Sequence, residues 1–176
     1  MMMNNGLIHI YYGDGKGKTT AAVGLAVRAA GNGMKVRIVQ FLKSAPTGEL
    51  KILEDSGIRV LRGDKNCTFT NLMDEEMRQA CLLSHNAILD EAINTCVNEQ
   101  IDLLVLDEII GAYNHALVDR NKLLGFLKNK PARAEIVLTG RDPAPELLEL
   151  ADYISEIKKI KHPFDRGVAA RTGIEK

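Results

Sequence analysis

The stretch that most limits what this chain can become is I-H-I-Y-Y-G-D-G-K-G-K-T-T, from Ile8 to Thr20. Ile8 to Tyr12 is a β-branched and aromatic run, which predicts a short buried strand. A glycine-rich turn follows, Gly13-Asp14-Gly15-Lys16-Gly17, and Lys18-Thr19-Thr20 then opens a helix-forming segment that runs to about Ala30. Strand, glycine-rich loop and Gly-Lys-Thr at a helix start form the context a phosphate-binding loop requires. Without a Cβ in the way, successive N–H groups can turn inward and face an anion at the positive end of the helix. On this reading Gly13, Asp14, Gly15, Lys16, Gly17, Lys18, Thr19 and Thr20 hold the phosphates of a nucleotide. Lys18 and Thr19 are the catalytic candidates: the lysine is a point charge on the phosphates, and the threonine hydroxyl stands where Mg2+ is held.

The loop departs from the common spacing. The pattern G-x-x-x-x-G-K-[ST] wants glycine where this chain has Tyr12, and glycine arrives one residue later at Gly13. The cradle is therefore shorter than the usual nucleotidase form.

A second motif lies far downstream. Ile101 to Leu106 is an apolar strand closed by Asp107-Glu108, so both carboxylates emerge at the strand's C-terminal end, where ligands bind in open parallel sheets. A hard cation wants oxygen ligands. One of Asp107 and Glu108 binds Mg2+, directly or through water; the sequence leaves open which.

Between and beyond these motifs, strands are expected at Val36 to Phe41, Ile58 to Leu61, Glu135 to Leu138 and Tyr153 to Ile157. Helices are expected at Glu49 to Asp55, Asp74 to Glu99, Leu123 to Lys128 and Pro143 to Ala151. The alternation predicts an α/β fold: a single P-loop domain over residues 1–176, with a mostly parallel sheet of about six strands flanked by helices on both faces. In the long helix His85 reads as half-buried and not a ligand, and Cys81 and Cys96 as core filler. Arg141, just after a strand, could touch phosphate. The tail from Lys158 shows neither a helical nor a strand period.

Lys and Arg total 23, as do Asp and Glu, a balance that argues against a broad nucleic-acid footprint. The three cysteines include no C-x-x-C pair. They read as reduced thiols of a cytoplasmic protein, neither a disulfide framework nor a zinc site. No apolar run approaches membrane-spanning length, and M-M-M-N-N-G is too short and polar for a signal peptide.

The chain resembles the P-loop class of ATP:corrinoid adenosyltransferases of the bacterial cobalamin pathway. The matching pieces span almost the whole length: Gly13 to Thr20, Val39-Gln40-Phe41-Leu42-Lys43, Leu106-Asp107-Glu108, Thr139-Gly140-Arg141 and Lys161-His162-Pro163-Phe164-Asp165-Arg166-Gly167-Val168. The shortened loop is similar to the family's G-N-G-K-G-K-T form, with Asp14 in place of asparagine, and the tail motif is the most diagnostic. The resemblance implies transfer of the 5′-deoxyadenosyl group of ATP to Co(I) of a corrinoid, cobalamin or cobinamide, with release of triphosphate. It further implies Mg2+ on Thr19 and Glu108 or Asp107, Arg28 near the ribose or base, a homodimer, and a flavoprotein reductase as partner.

On the corrinoid side, the family's aromatic-rich G-F-T-W-like stretch reads Asn66-Cys67-Thr68-Phe69 here, with Phe69 the apolar group facing the corrinoid. His162 and Phe164 are further corrinoid-facing candidates. Some members carry an N-terminal helix that caps the corrinoid; with six residues before Leu7, that cap is expected to be absent or supplied differently. Two other functions stay open on sequence grounds. One is a P-loop ATPase or small-molecule kinase, which would yield ADP. The other is a nucleotide-gated module that delivers corrinoid without turnover.

Overall fold

In the computed structural model, which describes residues 5–43, 47–63, 67 and 73–175, the glycine-rich loop leaves the end of β1 (Ile8–Tyr12) and feeds α1 (Lys18–Gly31). Then come β2 (Val36–Gln40), α2 (Glu49–Asp55), β3 (Arg59–Arg62), α3 (Glu75–Asn98), β4 (Leu103–Asp107), α4 (Ile109–Asn114), α5 (Arg120–Lys128), β5 (Glu135–Gly140), α6 (Pro145–Leu150) and β6 (Tyr153–Glu156). A 3-10 turn at Pro163–Arg166 punctuates the tail.

The six strands form one sheet in the order β3-β2-β4-β5-β1-β6, and every pairing is parallel. Parallel neighbours need crossover connections, and here helices supply them on both faces. The pleat sends alternate side chains to opposite layers. Leu103 and Val105 of β4 pack with Ala22, Ala26 and Ala29 of α1 and Leu53 of α2. Leu104 and Leu106 pack on the other face with Leu89, Ala92 and Cys96 of α3. The three alanines recur at helical spacing, so α1 lies close on the sheet and its N-terminus sits directly above the strand ends. Asp74 and Asp119 cap α3 and α5 by accepting from Met77 N at 2.8 Å and Lys122 N at 3.0 Å, each worth about 1 kcal/mol.

The expected fold class holds, with local corrections. β2 ends at Gln40, one residue earlier than expected, and Phe41 N donates to Asp107 O at 2.9 Å. β3 starts one residue late, Ile58 being buried but outside the ladder. The short helix α4 was not anticipated, and α5 begins at Arg120, three residues earlier than expected. His85 is fully buried, not half-buried: it wedges between α3 and the connection after β2.

The cysteine reading is overturned for two of the three. Cys67 and Cys81 are joined as a disulfide with Cα atoms 5.5 Å apart. Cys67 falls between β3 and α3 and its partner in the second turn of α3, a pairing that linear spacing does not reveal. Cys96 stays a free buried thiol, its pKa pushed up to about 11 by burial. Asn66, Thr68 and Phe69 lie outside the described residues.

Candidate functional site

The loop after β1 is shaped by what stands behind it. Ile157 N donates to Tyr12 O at 2.7 Å, Gly15 N donates to Ile157 O at 2.8 Å, and Lys159 N donates to Asp14 Oδ1 at 2.9 Å. A Cβ at Gly13, whose φ is 119°, would collide with Ile157 O, so glycine is required where the backbone passes that close. This explains the shortened cradle: the loop is folded against the segment leaving β6. It also gives Asp14, which lines the cleft, a structural partner. Its carboxylate anchors the loop, and the Lys159 N–H holds it below the usual carboxylate range.

Gly17, with φ 124°, delivers the chain into α1. Lys18, the first residue of α1, is 8% exposed and curls back over the loop, donating to Gly13 O at 2.7 Å and Gly15 O at 2.9 Å. Burial lowers its pKa, and the nearby Glu108 carboxylate partly restores it.

Asp107 ends β4 and is 1% exposed. Four donors meet its carboxylate. Thr19 Oγ1 and Thr139 Oγ1 donate to Oδ1 at 3.0 and 2.7 Å, while Gln40 Nε2 and Lys43 Nζ donate to Oδ2 at 3.1 and 2.5 Å. The ends of β2 and β5, the connection after β2 and the start of α1 thus converge on one buried charge, which burial would otherwise make costly. Glu108 follows in the left-handed conformation, φ 60°, its N–H donating to Thr139 Oγ1 at 2.9 Å. Burial, and then the adjacent Asp107 charge, raises its pKa.

Of these groups Asp14, Gly15, Lys18, Thr19, Lys43 and Glu108 line a cleft of about 850 Å³, within the range of small-molecule sites, and the buried Asp107 is bonded to Thr19 and Lys43 of its wall. Lys16, Gly17 and Thr20 line one wall and Gly48 and Ile52 another, with Arg141 and His162 at the same cleft. Arg141 is steadied by Asn114 Nδ2, which donates to its carbonyl oxygen at 3.1 Å. His162 Nδ1 accepts from Phe164 N at 3.2 Å, capping the 3-10 turn.

The sequence-assigned loop residues, Asp107, Glu108 and His162 are therefore brought together. Phe164 is not on the cleft wall; it stands 74% exposed on the turn. Arg28 is not brought to the loop. It sits exposed in the last turn of α1, about 15 Å along the axis from Lys18. Lys43, Gln40 and Thr139 were assigned no role from sequence, although each belongs to a stretch the resemblance singled out. Their partners lie across the sheet, and no local pattern marks them.

The donor set suits a divalent cation. Thr19, Asp107 and Glu108 offer only oxygens, as Mg2+ prefers, and Mg2+ usually takes one or two carboxylates with phosphates and water completing its shell. Among the described residues no cluster of three His, Cys, Asp or Glu side chains could hold a metal by itself.

Comparison with known proteins adds an independent line. A family model described as "ATP:corrinoid adenosyltransferase BtuR/CobO/CobP" matches residues 4–175. The chain is similar to a protein named corrinoid adenosyltransferase from Escherichia coli K12, with 34% identity over 97% of this chain and 85% of that protein. It is equally similar, by identity and both coverages, to the corrinoid adenosyltransferase CobA of Salmonella typhimurium LT2. Among solved structures, a KaiC-like protein from Pyrococcus horikoshii aligns over 89% of this chain and 75% of its own, with TM-score 0.58 and 15% identity. That likeness concerns the fold alone. No helix among the described residues is long and apolar enough to cross a membrane.

Proposed function

The chain belongs to the ATP:corrinoid adenosyltransferase family, and we propose that it performs the family's chemistry in the cleft between the Gly13–Thr19 loop and Asp107. The reaction moves the 5′-deoxyadenosyl group of ATP onto the Co(I) of a corrinoid and releases triphosphate. The electron pair of Co(I) forms the bond to C5′, the C5′–O bond breaks, and its pair departs with triphosphate. No proton has to be abstracted. The protein's tasks are to hold C5′ in line and to stabilise charge on the leaving group.

The loop N–H groups and the N-terminus of α1 receive the triphosphate, and Lys18 exchanges its two loop carbonyls for phosphate oxygens. Thr19, Asp107 and Glu108 hold Mg2+, which when bound neutralises charge on the polyphosphate. Arg141 faces the same phosphates. His162 and Phe164, with Phe69, contribute to the corrinoid side. The same reading carries a homodimer in the cytoplasm and a flavoprotein reductase as the electron source.

The observation that carries this proposal is the convergence on one cleft of Lys18, the Thr19–Asp107 pair and His162 of the tail motif. The test is product identity under anaerobic reducing conditions with MgATP and cob(I)alamin. Light-sensitive adenosylcobalamin with equimolar triphosphate supports it. ADP and phosphate with an unchanged corrinoid spectrum would replace it by an ATPase or kinase.

A further inference from the structure

The stretch Val39-Gln40-Phe41-Leu42-Lys43 has no part in the function described so far, yet it is held with care. Phe41 N donates to Asp107 O at 2.9 Å, tying the chain to the end of β4. Leu42 then adopts φ 56°, a left-handed conformation costly for a branched residue, and its N–H is taken by His85 Nε2 at 3.4 Å. This bend delivers Lys43 to the metal-binding oxygens. Its Nζ lies 2.5 Å from Asp107 Oδ2 and 2.7 Å from Thr19 Oγ1.

An ammonium and a divalent cation cannot share that pair of oxygens. We propose that Lys43 is a built-in competitor for the divalent cation, holding Thr19 and Asp107 until the metal–nucleotide complex takes them and then moving onto the departing triphosphate. The inference rests on the reading that Thr19 and Asp107 bind Mg2+. Lysine suits the role, being a compact charge on a flexible stem, and its side chain is 27% exposed at the cleft. Asp107 does not lose its orientation when Lys43 leaves, because Thr139 and Gln40 still donate to it. Gln40 Oε1, buried and without a hydrogen-bond partner among the described residues, adds an acceptor beside the carboxylate.

Metal binding and nucleotide binding are thereby coupled. A cation arriving alone must expel an ammonium that gains nothing in exchange. A cation arriving with ATP offers that ammonium a polyphosphate across the cleft. The device favours the metal–nucleotide complex over free metal and places a second positive charge on the leaving group.

The test is Mn2+ binding, followed by electron paramagnetic resonance, to nucleotide-free wild type, Lys43→Met and Lys43→Gln. The two variants guard against one failing to fold. Both are expected to bind Mn2+ alone at least tenfold more tightly than wild type, and to lose most of the extra tightening that ATP gives. Adenosyl transfer is expected to slow about tenfold at saturating MgATP. A merely structural lysine would not tighten metal binding when removed. Mn2+ binding that is unchanged or weaker in both variants overturns the competitor role. The double variant Lys43→Met/Asp107→Asn separates the two failures. Loss of the tightened site supports the role, whereas its persistence removes Asp107 as a ligand and the proposal with it.

Discussion

Gln40 and Asp107 stand opposite each other in register at the ends of β2 and β4, joined by a 3.1 Å bond from Gln40 Nε2 to Asp107 Oδ2. Both are almost wholly buried, so this bond is made away from water. Gln40→Met keeps the volume and removes the donor. Leaving a buried carboxylate short of one partner costs about 1–3 kcal/mol, partly offset because the unpartnered Oε1 goes too. We expect urea denaturation to report a loss of about 1–2 kcal/mol. Unchanged stability would mean that Thr19, Thr139 and Lys43 suffice for Asp107.

Lys18→Ala removes a side chain that spans the loop from within. Its partners are the loop carbonyls of Gly13 and Gly15. Activity with saturating corrinoid should fall by roughly two to three orders of magnitude, the range for deleting one preorganised charge donor. The far-ultraviolet circular dichroism should be that of wild type. Retained turnover would remove Lys18 from the phosphate site.

The Asp107 and Glu108 carboxylates can be told apart by metal titration. Asp107 carries four donors and, among the described residues, the Glu108 carboxylate accepts none. Glu108→Gln should raise the Mg2+ needed for half-maximal activity about tenfold and leave the melting temperature near wild type. Asp107→Asn should do both kinds of damage, because an amide has one acceptor oxygen where the carboxylate uses two. Equal melting temperatures for the two variants would contradict the anchoring role of Asp107.

His85 predicts a pH effect on stability. Its Nε2 accepts from Leu42 N and its Nδ1 faces Leu117 O at 3.1 Å, which assigns the proton to Nδ1 and leaves the ring neutral. Burial lowers its pKa below the ordinary 6.5. The unfolded chain therefore binds a proton that the folded chain refuses. The stability this contributes is complete above pH 6.5 and is lost as pH falls from there towards the lowered folded value. Each unit of depression corresponds to about 1.4 kcal/mol. Unfolding free energies at about pH 7.5 and 5 should fall more steeply for wild type than for His85→Gln. Parallel slopes would show that His85 does not titrate in this window.

What sequence reasoning captured was local. Ile8–Tyr12, the glycine turn and Lys18-Thr19 announce themselves within a dozen residues, and the apolar run closing on Asp107 does so within seven; both sit at strand ends as expected. What escaped was set by tertiary proximity. Lys43 meets Asp107 only because β2 and β4 are neighbours, and the pairing of Cys67 with Cys81 of α3 is likewise a matter of tertiary proximity. Arg28, expected near the ribose or base of the nucleotide, lies in the last turn of α1. A straight helix carries it away from the loop, a distance the motif does not express. Asp14 was placed in the loop and lies on the cleft, but the bond its carboxylate accepts from Lys159 N, 145 residues on, could not be read from the motif.

β5 lies between β1 and β4. Adjacent strands are about 4.8 Å apart, so the loop and the Asp107 carboxylate are separated by roughly 10 Å of sheet. Main-chain ladders set that gauge, and no side chain can alter it. Thr139, at the end of the intervening strand, touches both Glu108 N and Asp107 Oδ1, while Thr19 reaches the carboxylate from α1. Substitutions can retune the charges at either side of the site, but the gap between the loop and the Asp107 carboxylate would change only if a strand were gained or lost.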